Sequence, residues 1–539
     1  MRVDVMPIHN SAQSISPSQL NAWRESKKPH ALFDVRDPVE IDDGHIFGMT
    51  ALPRRQVEAR IGSLVPDISL PIVIYDEGGQ RATFTVQTFQ ELGWHEVYWL
   101  EGGLRAWQSM GYLLSSGSNV PSKKFGEQIQ LKYDVPYVQA GQLKEWLASD
   151  RSIALCDVRT PQEHEQACIP GAINLPSFDH ALHAGELCRE HDAVVLHCAG
   201  RTRSIIATQT LRDLGFDNVF ALENGTMGWR LAGLSVEQGS KRRKPIVSKL
   251  SADPVQIRAA ELAAAAGVRK LSAQSFQDLM THRHKEGRAF YAFDVRNVED
   301  YVVGHIPQTI AVPGGQLVQR TDDFITGQKL PVVLIDQIET RALLTATWLC
   351  RMGHENVFVL EGGIDLWQAK CLPLDIGRGR DDPRGLSQAR QYAPHLNPVE
   401  FKLWLKSRPK AVLLDVGLSS NFRKGHLAGA SWLPRTWLET RIDEHVNSRH
   451  IPIALTCSQG AESSLAAWAL RKLGFVDLAV LEGGTSSWLA GGRELVPEQN
   501  FPKKYDERIP PYEAGEQAMR NYLAWEVQLM DIQADKHTS

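Results

Sequence analysis

Residues 155–176, LCDVRTPQEHEQACIPGAINLP, combine a short apolar run that ends in an aspartate, a polar stretch and a second short apolar run. Related segments are found at 32–53 (LFDVRDPVEIDDGHIFGMTALP), 292–313 (AFDVRNVEDYVVGHIPQTIAVP) and 413–434 (LLDVGLSSNFRKGHLAGASWLP). A second segment, LGFDNVFALENGTMGW at 214–229, has counterparts at 92–107, 352–367 and 473–488. The same two segments in the same order predict that the chain consists of four copies of one folding unit.

Constant spacings show that the four repeats align along their length. The aspartate of the first segment (Asp34, Asp157, Asp294 or Asp415) lies 11 residues before a position that holds His45, Cys168, His305 and His426. It lies 41 or 42 residues before a third position, which holds Asp76, Cys198, Asp336 and Cys457. From that third position to a late tryptophan the spacing is 31 residues in every repeat. Four domains of about 100 residues are therefore expected, each long enough to fold on its own.

Each repeat alternates short β-rich runs with amphipathic helical stretches. In the second repeat, the runs IALCDV, AVVLHC and NVFALEN predict strands, whereas AGQLKEWLASD and SIIATQTLRDLGF predict helices. Alternation of strands and helices is typical of a parallel sheet covered by helices on both faces. The predicted fold class is therefore α/β throughout.

The repeats also define the predicted domain boundaries. We expect domains at 8–116, 133–238, 269–378 and 395–497, followed by a tail at 498–539 that contains a helix. The polar, charged or Ala-rich segments 117–132, 239–268 and 379–394 are interpreted as linkers. The shorter linkers within each pair predict that the first domain packs with the second and the third with the fourth.

Composition restricts the class of protein. The chain of 539 residues is 43% hydrophobic and 23% charged with a formal net charge of −4, which argues against disorder, a membrane protein and a nucleic-acid-binding surface. The amino-terminal residues lack the apolar core of a secretory signal, and a cytoplasmic location is the expectation. Seven cysteines without a C-x-x-C pair predict free thiols. No cofactor is predicted.

The third position of the second repeat carries the most reactive chemistry. The loop CAGRTRS at 198–204 follows a predicted strand and precedes a predicted helix, so Cys198 is expected at the edge of the sheet where ligands bind. The helix dipole, inward backbone N–H groups, Arg201 and Arg203 would all stabilise a thiolate and hold an anion against it. Cys198 is the predicted nucleophile, and the predicted substrate-binding residues are Ala199, Gly200, Arg201, Thr202, Arg203 and Ser204.

Three further interpretations of this region concern an inert thiol, a metal site and an ion pair. Cys198 could be a buried inert thiol, but a flanking glycine and two arginines are costly in a core. A metal site formed by Cys188, His191, His197 and Cys198 matches no zinc spacing, so no metal is predicted. Arg159 and Glu163, four residues apart, are interpreted as a structural ion pair near the loop.

The DVR segment, IPGAINLP, the C-x-x-x-x-R loop and LENGTMGW together resemble the rhodanese (thiosulfate sulfurtransferase) family over nearly the whole chain. The resemblance implies five parallel strands per domain and a reaction in two steps. Cys198 would take a sulfane sulfur from thiosulfate or a similar small anionic donor and pass it from a persulfide to cyanide, a thiol or a sulfur-acceptor protein. The loop from Cys198 to Arg203 has six residues. Because related dual-specificity phosphatases carry a loop one residue longer, the resemblance favours a sulfurtransferase over a phosphatase.

The three other loops depart from this pattern. Asp76 and Asp336 replace the nucleophile in the first and third repeats, which keep Arg81 and Arg341, and both domains are expected to be inactive. Cys457 in the fourth repeat is a candidate second nucleophile, but Glu462 replaces the loop arginine and would disfavour a thiolate. Two functions therefore remain beside the enzyme: a persulfide relay that serves a partner protein, and a non-catalytic scaffold.

Overall fold

The computed structural model describes residues 13–244, 254–282, 289–327, 329–379, 382–498 and 506–530. Within these ranges the strands form four sheets of five strands each. Neighbouring strands of every sheet are parallel. The strand order within each domain is first, fifth, fourth, second, third. The predicted α/β class with five parallel strands per domain is confirmed.

The strands of the first domain are β1 (Gln13–Ile15), β2 (Ala31–Asp34), β3 (Thr50–Ala51), β4 (Ile72–Tyr75) and β5 (Val97–Leu100). Those of the second are β6 (Tyr137–Val138), β7 (Ile153–Asp157), β8 (Ile173–Asn174), β9 (Ala193–His197) and β10 (Val219–Leu222). Those of the third are β11 (Arg269–Leu271), β12 (Tyr291–Asp294), β13 (Ile310–Ala311), β14 (Val332–Ile335) and β15 (Val357–Leu360). Those of the fourth are β16 (His395–Leu396), β17 (Val412–Asp415), β18 (Ser431–Trp432), β19 (Ile453–Thr456) and β20 (Leu478–Leu481).

The helices of the first domain are α1 (Pro17–Glu25), α2 (Pro38–Asp43), α3 (Val57–Leu64), α4 (Gln80–Glu91) and α5 (Gly103–Ser109). The second domain follows with α6 (Val120–Tyr133), α7 (Ala140–Ala148), α8 (Pro161–Gln166), α9 (Asp179–Leu182), α10 (Ala184–Glu190), α11 (Thr202–Asp213) and α12 (Gly225–Leu231). The third has α13 (Pro254–Ala265), α14 (Ala273–His282), α15 (Val298–Val303), α16 (Gly314–Gln319), α17 (Thr340–Arg351) and α18 (Gly363–Ala369). The fourth has α19 (Leu386–Ala389), α20 (Pro398–Lys406), α21 (Ser419–Lys424), α22 (Leu438–His445), α23 (Ala461–Lys472) and α24 (Gly484–Ala490), and the tail has α25 (Pro511–Ala514) and α26 (Glu516–Gln528).

Burial explains why the central strands form where they do. All five residues of β9 are buried, because helices cover both faces of the sheet. The same apolar pattern recurs in β4, β14 and β19, whose residues are all buried. The residue after each of these strands therefore emerges at the carboxyl edge of its sheet, which is where the repeat places its third position.

The segments interpreted as linkers contain helices of their own. Helix α6 occupies most of 117–132, and α13 occupies the end of 239–268. Both helices bury apolar side chains, Ile129 at 4% and Ala259 at 0% exposure, so they belong to the packed core. Residues 245–253 lie outside the described residues. The linker interpretation is therefore wrong for α6 and α13. Each segment has a polar or Ala-rich composition overall, but one face of its helix is packed in the core.

The expected pairing of the domains is also wrong. One compact unit contains the first and fourth domains, and the other contains the second and third domains together with the tail from Pro510. In the first of these units the buried Arg435 donates to the Glu58 carboxylate with one bond of 2.7 Å. In the second, the Trp348 indole donates to the Thr210 hydroxyl at 2.9 Å. Such contacts join residues that are far apart in sequence. The length of a linker therefore does not predict which domains pack together.

The predicted helical tail is present as α25 and α26. Residues 499–505 and 531–539 of the tail lie outside the described residues. Met519 and Leu523 of α26 form a buried apolar cluster with Met227 of the second domain. Among the described helices, none has the length and apolar character needed to cross a membrane.

Candidate active site

Cys198 follows the central strand of the second sheet directly. Strand β9 pairs with β7 and β10, and helix α11 begins four residues after the cysteine. The sulfur therefore lies at the carboxyl end of a parallel strand and near the amino terminus of a helix, as the sequence predicts. Cys198 is 2% exposed, and its Sγ lies 3.5 Å from the Ser204 hydroxyl oxygen.

The turn at Asn224 and Gly225, which leads into α12, holds the cysteine loop in place. The backbone N–H of Thr226 donates to the Cys198 carbonyl at 2.8 Å, and that of Met227 donates to the Ala199 carbonyl at 3.0 Å. Gly225 has a φ of +52°, and a Cβ atom at this position would lie 2.3 Å from the Cys198 carbonyl oxygen. Only glycine fits here, because the two backbone segments touch. The LENGTMGW segment thus shapes the loop that carries the nucleophile.

Arg203 is paired with a carboxylate inside its own domain. Its two terminal nitrogens donate to the two oxygens of Glu163, each at 2.8 Å. Burial opposes the charge on Arg203, but Glu163 and then Cys198 raise the pKa of the guanidinium. Burial likewise opposes ionisation of Glu163, yet Arg203 lowers the pKa of that carboxyl to about 2. Arg203 therefore stays charged within electrostatic reach of the sulfur.

Arg201 is held by a residue from outside the predicted domain. Its Nε and one terminal nitrogen donate to Glu127 of α6 at 2.7 and 2.9 Å. Gly126 permits this approach, because a Cβ there would lie 2.8 Å from the Thr202 side chain. The glycine inside α6 was the sequence signal for this contact. Both loop arginines thus carry a carboxylate partner, which reduces the net positive charge that the sequence predicts around the sulfur.

The interpretation of Arg159 and Glu163 as a mutual ion pair is wrong. Arg159 instead donates to both carboxylate oxygens of Asp157 at 2.7 to 3.2 Å, and Glu163 binds Arg203. His164 also lies 2.9 Å from an Asp157 oxygen. Asp157 is fully buried, so it attracts the guanidinium that is closest along the strand end. Arg159 and His164 thus both contact the Asp157 carboxylate at the end of β7.

Residues of the tail lie against the loop, and no sequence motif indicated them. Glu526 of α26 is 2% exposed, and one of its carboxylate oxygens accepts from the Thr202 hydroxyl at 3.4 Å. Tyr522 lies beside Gly200, where an added Cβ would approach its ring to 3.5 Å. Nothing in the repeat pattern points to these residues, because the tail lies outside all four repeats.

The histidines of the candidate metal site, His191 and His197, contact a backbone carbonyl and a hydroxyl. The His197 ring is buried with its Nδ1 3.4 Å from the Thr226 hydroxyl, and burial lowers its pKa to about 4. The His191 Nδ1 lies 3.0 Å from the Leu187 carbonyl oxygen. Among the described residues, no group of three or more His, Cys, Asp or Glu side chains could hold a metal ion.

In the first and third domains, a carboxylate occupies the backbone nest at the third position. Asp76 accepts from the backbone N–H groups of Gly78 (3.0 Å), Gly79, Arg81 (2.6 Å) and Ala82 (3.2 Å). Asp336 accepts from the backbone N–H of Arg341 and from its Nε, each at 2.8 Å. The loop backbone is therefore an anion-binding nest in which the protein's own carboxylate takes the anion's place.

The loop arginines of these two domains, Arg81 and Arg341, also bind carboxylates outside the loop. Arg81 donates to Glu40 at 2.7 and 2.8 Å, in the same arrangement as Arg203 with Glu163. Arg341 reaches Asp179 of the second domain at 3.0 Å. The third-domain loop thus contributes a buried ion pair to the contact between the second and third domains.

In the fourth domain, Cys457 lies in the equivalent backbone nest, but the loop carries the negative charge of Glu462 where the second domain has the positive charge of Arg203. Its Sγ accepts from the backbone N–H groups of Gly460 at 3.2 Å and Ser463 at 3.4 Å. Glu462 replaces the loop arginine and pairs with Arg55 of the first domain at 3.3 Å. Burial and then the Glu462 carboxylate raise the pKa of the Cys457 thiol.

The seven predicted residues from Cys198 to Ser204 form one loop and the first turn of α11. Asp76, Asp336 and Cys457 lie at the equivalent point of their own domains, directly after β4, β14 and β19. The four predicted loops are thus four versions of one site, each built within its own sheet and helix.

A family model named Rhodanese-like domain matches residues 16–110, 139–232, 273–370 and 397–491. Over nearly its whole length the chain is similar to the crystal structure of a thiosulfate sulfurtransferase from Pseudomonas aeruginosa. The two chains are 31% identical, the match covers 96% of this chain and 97% of that one, and the TM-score is 0.85.

Two curated relatives match over single domains. A probable adenylyltransferase/sulfurtransferase MoeZ of Mycobacterium tuberculosis (strain CDC 1551 / Oshkosh) is 32% identical over 94 residues, which is 17% of this chain and 24% of that protein. A putative sulfur carrier protein YrkF of Bacillus subtilis (strain 168) is 32% identical over 95 residues, which is 18% of this chain and 51% of that protein. The chain therefore spans about a quarter to a half of the length of these two relatives.

Proposed function

Because the chain belongs to the rhodanese family, whose domain model matches it four times, we propose that it is a sulfurtransferase with its nucleophile at Cys198. One observation carries the proposal. Of the four equivalent loops, the second combines a cysteine at the first position with an arginine five residues later, in Cys198 and Arg203. The similarity to a thiosulfate sulfurtransferase over almost the full chain supports thiosulfate, or another small anionic sulfane donor, as the substrate.

The proposed reaction has two balanced steps. In the first, the Cys198 thiolate attacks the outer sulfur of thiosulfate, the S–S bond of the donor breaks, and sulfite leaves with the electron pair. In the second, cyanide or a thiolate attacks the outer sulfur of the persulfide, that S–S bond breaks, and the Cys198 thiolate forms again. A covalent intermediate divides one difficult transfer into two easier ones, and no outside oxidant is needed.

The surrounding residues have distinct roles in this scheme. Arg203 stays charged beside the sulfur and would stabilise both the thiolate and the anionic persulfide. Ala199, Gly200, Arg201, Thr202 and Ser204 complete the loop that receives the donor. The first and third domains, with Asp76 and Asp336 in their nests, would not transfer sulfur and would serve packing instead. A cytoplasmic location is part of the proposal, supported by seven free cysteines.

Intact-mass spectrometry tests the proposal. The protein is incubated with thiosulfate beside Cys198→Ser and Cys457→Ser variants, and each mass is compared with that before incubation. We expect a gain of one sulfur atom in the wild type and in Cys457→Ser, and none in Cys198→Ser. A gain that survives in Cys198→Ser would assign the chemistry to Cys457. No gain with any sulfane donor would favour the scaffold.

A sulfur carrier that delivers its persulfide to a partner protein is the second candidate function. The similarity to a putative sulfur carrier protein favours it. The persulfide-loaded protein is mixed with cyanide, with a small thiol or with a cell extract of thiol proteins. An enzyme of small acceptors unloads with the first two, whereas a carrier keeps its sulfur until the protein acceptor is added.

A further inference from the structure

The carboxyl-terminal helix lies across the mouth of the Cys198 loop. Met519 and Leu523 of α26 pack on Met227, which follows the turn that holds the loop. The preceding segment is fastened at two points, since Arg230 donates to the Tyr512 carbonyl at 3.2 Å and Gln166 donates to Glu513 at 3.3 Å. The tail is therefore a packed part of the second domain and contributes side chains to the surroundings of the sulfur.

Glu526 is the tail residue that reaches the loop itself. Its Oε1 accepts from the Thr202 hydroxyl at 3.4 Å and from the Tyr522 hydroxyl at 3.2 Å. Its Oε2 is buried and has no hydrogen-bond partner among the described residues. A buried carboxylate oxygen without a donor is costly, so its position needs an explanation in terms of function.

Gly200 provides the space into which that oxygen points. A Cβ atom on Gly200 would lie 2.9 Å from Glu526 Oε2 and 3.1 Å from the Met227 methyl carbon, so a larger residue at this loop position would displace these side-chain ends. Gly200 has no positive φ that would require a glycine for its backbone. The glycine and the carboxylate are complementary, and together they place an anionic group two residues from the nucleophile.

The charged groups around Glu526 and the loop are of both signs. Arg201 and Arg203 are each bound in a two-point ion pair, with Glu127 and Glu163. Lys123 lies over the rings of Tyr522 and Trp525 at 4.9 and 4.7 Å. Burial raises the pKa of Glu526 and Glu127 adds to this, while Lys123, Tyr522 and Arg201 act in the opposite direction.

We propose that Glu526 is a specificity-determining residue of the Cys198 site, and that its carboxylate discriminates among sulfur donors by their charge. The inference rests on the proposed sulfurtransferase function and deepens it. A dianionic donor that enters the loop is repelled by Glu526, whereas a monoanionic or neutral donor is repelled less or not at all. The site would therefore prefer sulfane donors of low charge to thiosulfate itself.

Coulomb's law gives this proposal a quantitative form. The repulsion energy is proportional to the charge of the donor, so it is twice as large for a dianion as for a monoanion at the same place. Thiosulfate and methanethiosulfonate present the same type of sulfane sulfur with two and one negative charges. Removing the Glu526 charge should therefore improve KM for thiosulfate by about the square of the improvement for methanethiosulfonate.

Steady-state kinetics with both donors and cyanide as the acceptor test the inference from about pH 7 to about pH 9, because burial raises the pKa of Glu526 and only the ionised carboxyl repels an anion. Glu526→Gln removes the charge and keeps the side-chain size. Glu516→Gln is the matched control, because Glu516 lies on the exposed face of the same helix and pairs with Arg520. We expect Glu526→Gln to lower KM about tenfold for thiosulfate and about threefold for methanethiosulfonate, with kcat within about twofold and no change in the control.

Glu526→Asp separates charge from packing. It keeps the charge and shortens the side chain, so its ratio of the two KM values should remain close to that of the wild type. Equal improvement with both donors in Glu526→Gln would mean that the substitution merely opens the site. No change in either KM, or a rise in both, would equally overturn the inference.

The inference and the proposed function fail in different ways. If wild-type Cys198 gains no sulfur from either donor, the sulfurtransferase proposal fails and the inference fails with it. If the wild type forms the persulfide but Glu526→Gln has the same donor preference, only the inference is overturned. Intact mass and thermal unfolding of every variant accompany the kinetics, so a loss of fold is recognised as such.

Discussion

The loops that begin with Cys198 and Cys457 place a thiol at the same point of the same fold and surround it with opposite charge. Arg203 extends a guanidinium where Glu462 extends a carboxylate. Each of these side chains is paired, the arginine with Glu163 of its own domain and the glutamate with Arg55 of the first domain. The sulfur of Cys457 nevertheless accepts from two backbone N–H groups, so its nest is intact.

The comparison teaches that the backbone geometry of the loop and the charge around it vary independently. The nest occurs in the first, third and fourth domains, where it holds a carboxylate or a sulfur. The nest alone therefore does not determine the charge around the residue that it holds. The side chain five residues after the nucleophile position adds the sign of the charge, and this sign separates Cys198 from Cys457.

The largest effect is expected when Arg203→Glu gives the second domain the charge of the fourth. The new carboxylate would lie against Glu163, whose pKa Arg203 now lowers to about 2, and both would repel the persulfide. We expect kcat/KM for thiosulfate to fall by about 10³-fold, measured with cyanide as the acceptor. The double variant with Glu163→Arg restores an ion pair and should fold normally while remaining inactive. Activity above about a tenth of wild type in the single variant would break the comparison.

The next effect concerns the aspartate that ends the second strand of its domain, Asp157 in β7 and Asp415 in β17. Substitution by asparagine should change stability with opposite sign at these two positions. Burial opposes ionisation of Asp157, but His197 and Arg159 lower the pKa of its carboxyl, so its ionised form stabilises the fold above about pH 4. Asp157→Asn should therefore cost about 3 to 5 kcal/mol at neutral pH, because Arg159 is left buried and unpaired. Asp415 has Gly417 in place of that arginine, and burial raises its pKa to about 6.

For Asp415 the folded state binds a proton more tightly than the unfolded chain, so stability falls as pH rises from about 4 to about 6. Asp415→Asn should stabilise the protein by about 1 to 3 kcal/mol at pH 7, and the gain should shrink as the pH is lowered towards about 5. Urea unfolding of both variants at several pH values measures this. Two losses of similar size would show that the missing arginine does not distinguish the two domains.

The sequence predicted the four domains, the parallel sheets and the loop because these features depend on residues close together in the chain. A buried run such as Val194–Leu196 predicts a strand, and the residue that follows it must emerge at the sheet edge. The late tryptophan and the glycine four residues before it repeat at fixed distances, and this glycine lies in the turn that holds each loop. Local pattern was sufficient for all of these predictions.

The contacts that complete the site could not be predicted in this way. Glu127 lies in a segment whose polar residues suggested a linker, and only Gly126 marked the close approach to Thr202. Glu526 reaches Thr202 across 324 residues of sequence. The pairing of the domains depends on buried ion pairs such as Arg435 with Glu58, whose partners belong to different repeats. Single-sequence patterns carry no information about such partners.

The smallest expected effect concerns the thiol of Cys457 itself. Burial and then Glu462 raise its pKa above the usual range, so its alkylation rate should still be rising above about pH 9. Glu462→Gln should increase the rate with iodoacetamide at pH 8 about fivefold, because the thiolate fraction grows when the neighbouring negative charge is removed. The measurement uses a Cys198→Ser background, peptide mass spectrometry to isolate Cys457, and the exposed Glu444→Gln as control. Identical pH profiles in all variants would mean that Arg55 already cancels the charge of Glu462, and that burial alone keeps Cys457 unreactive.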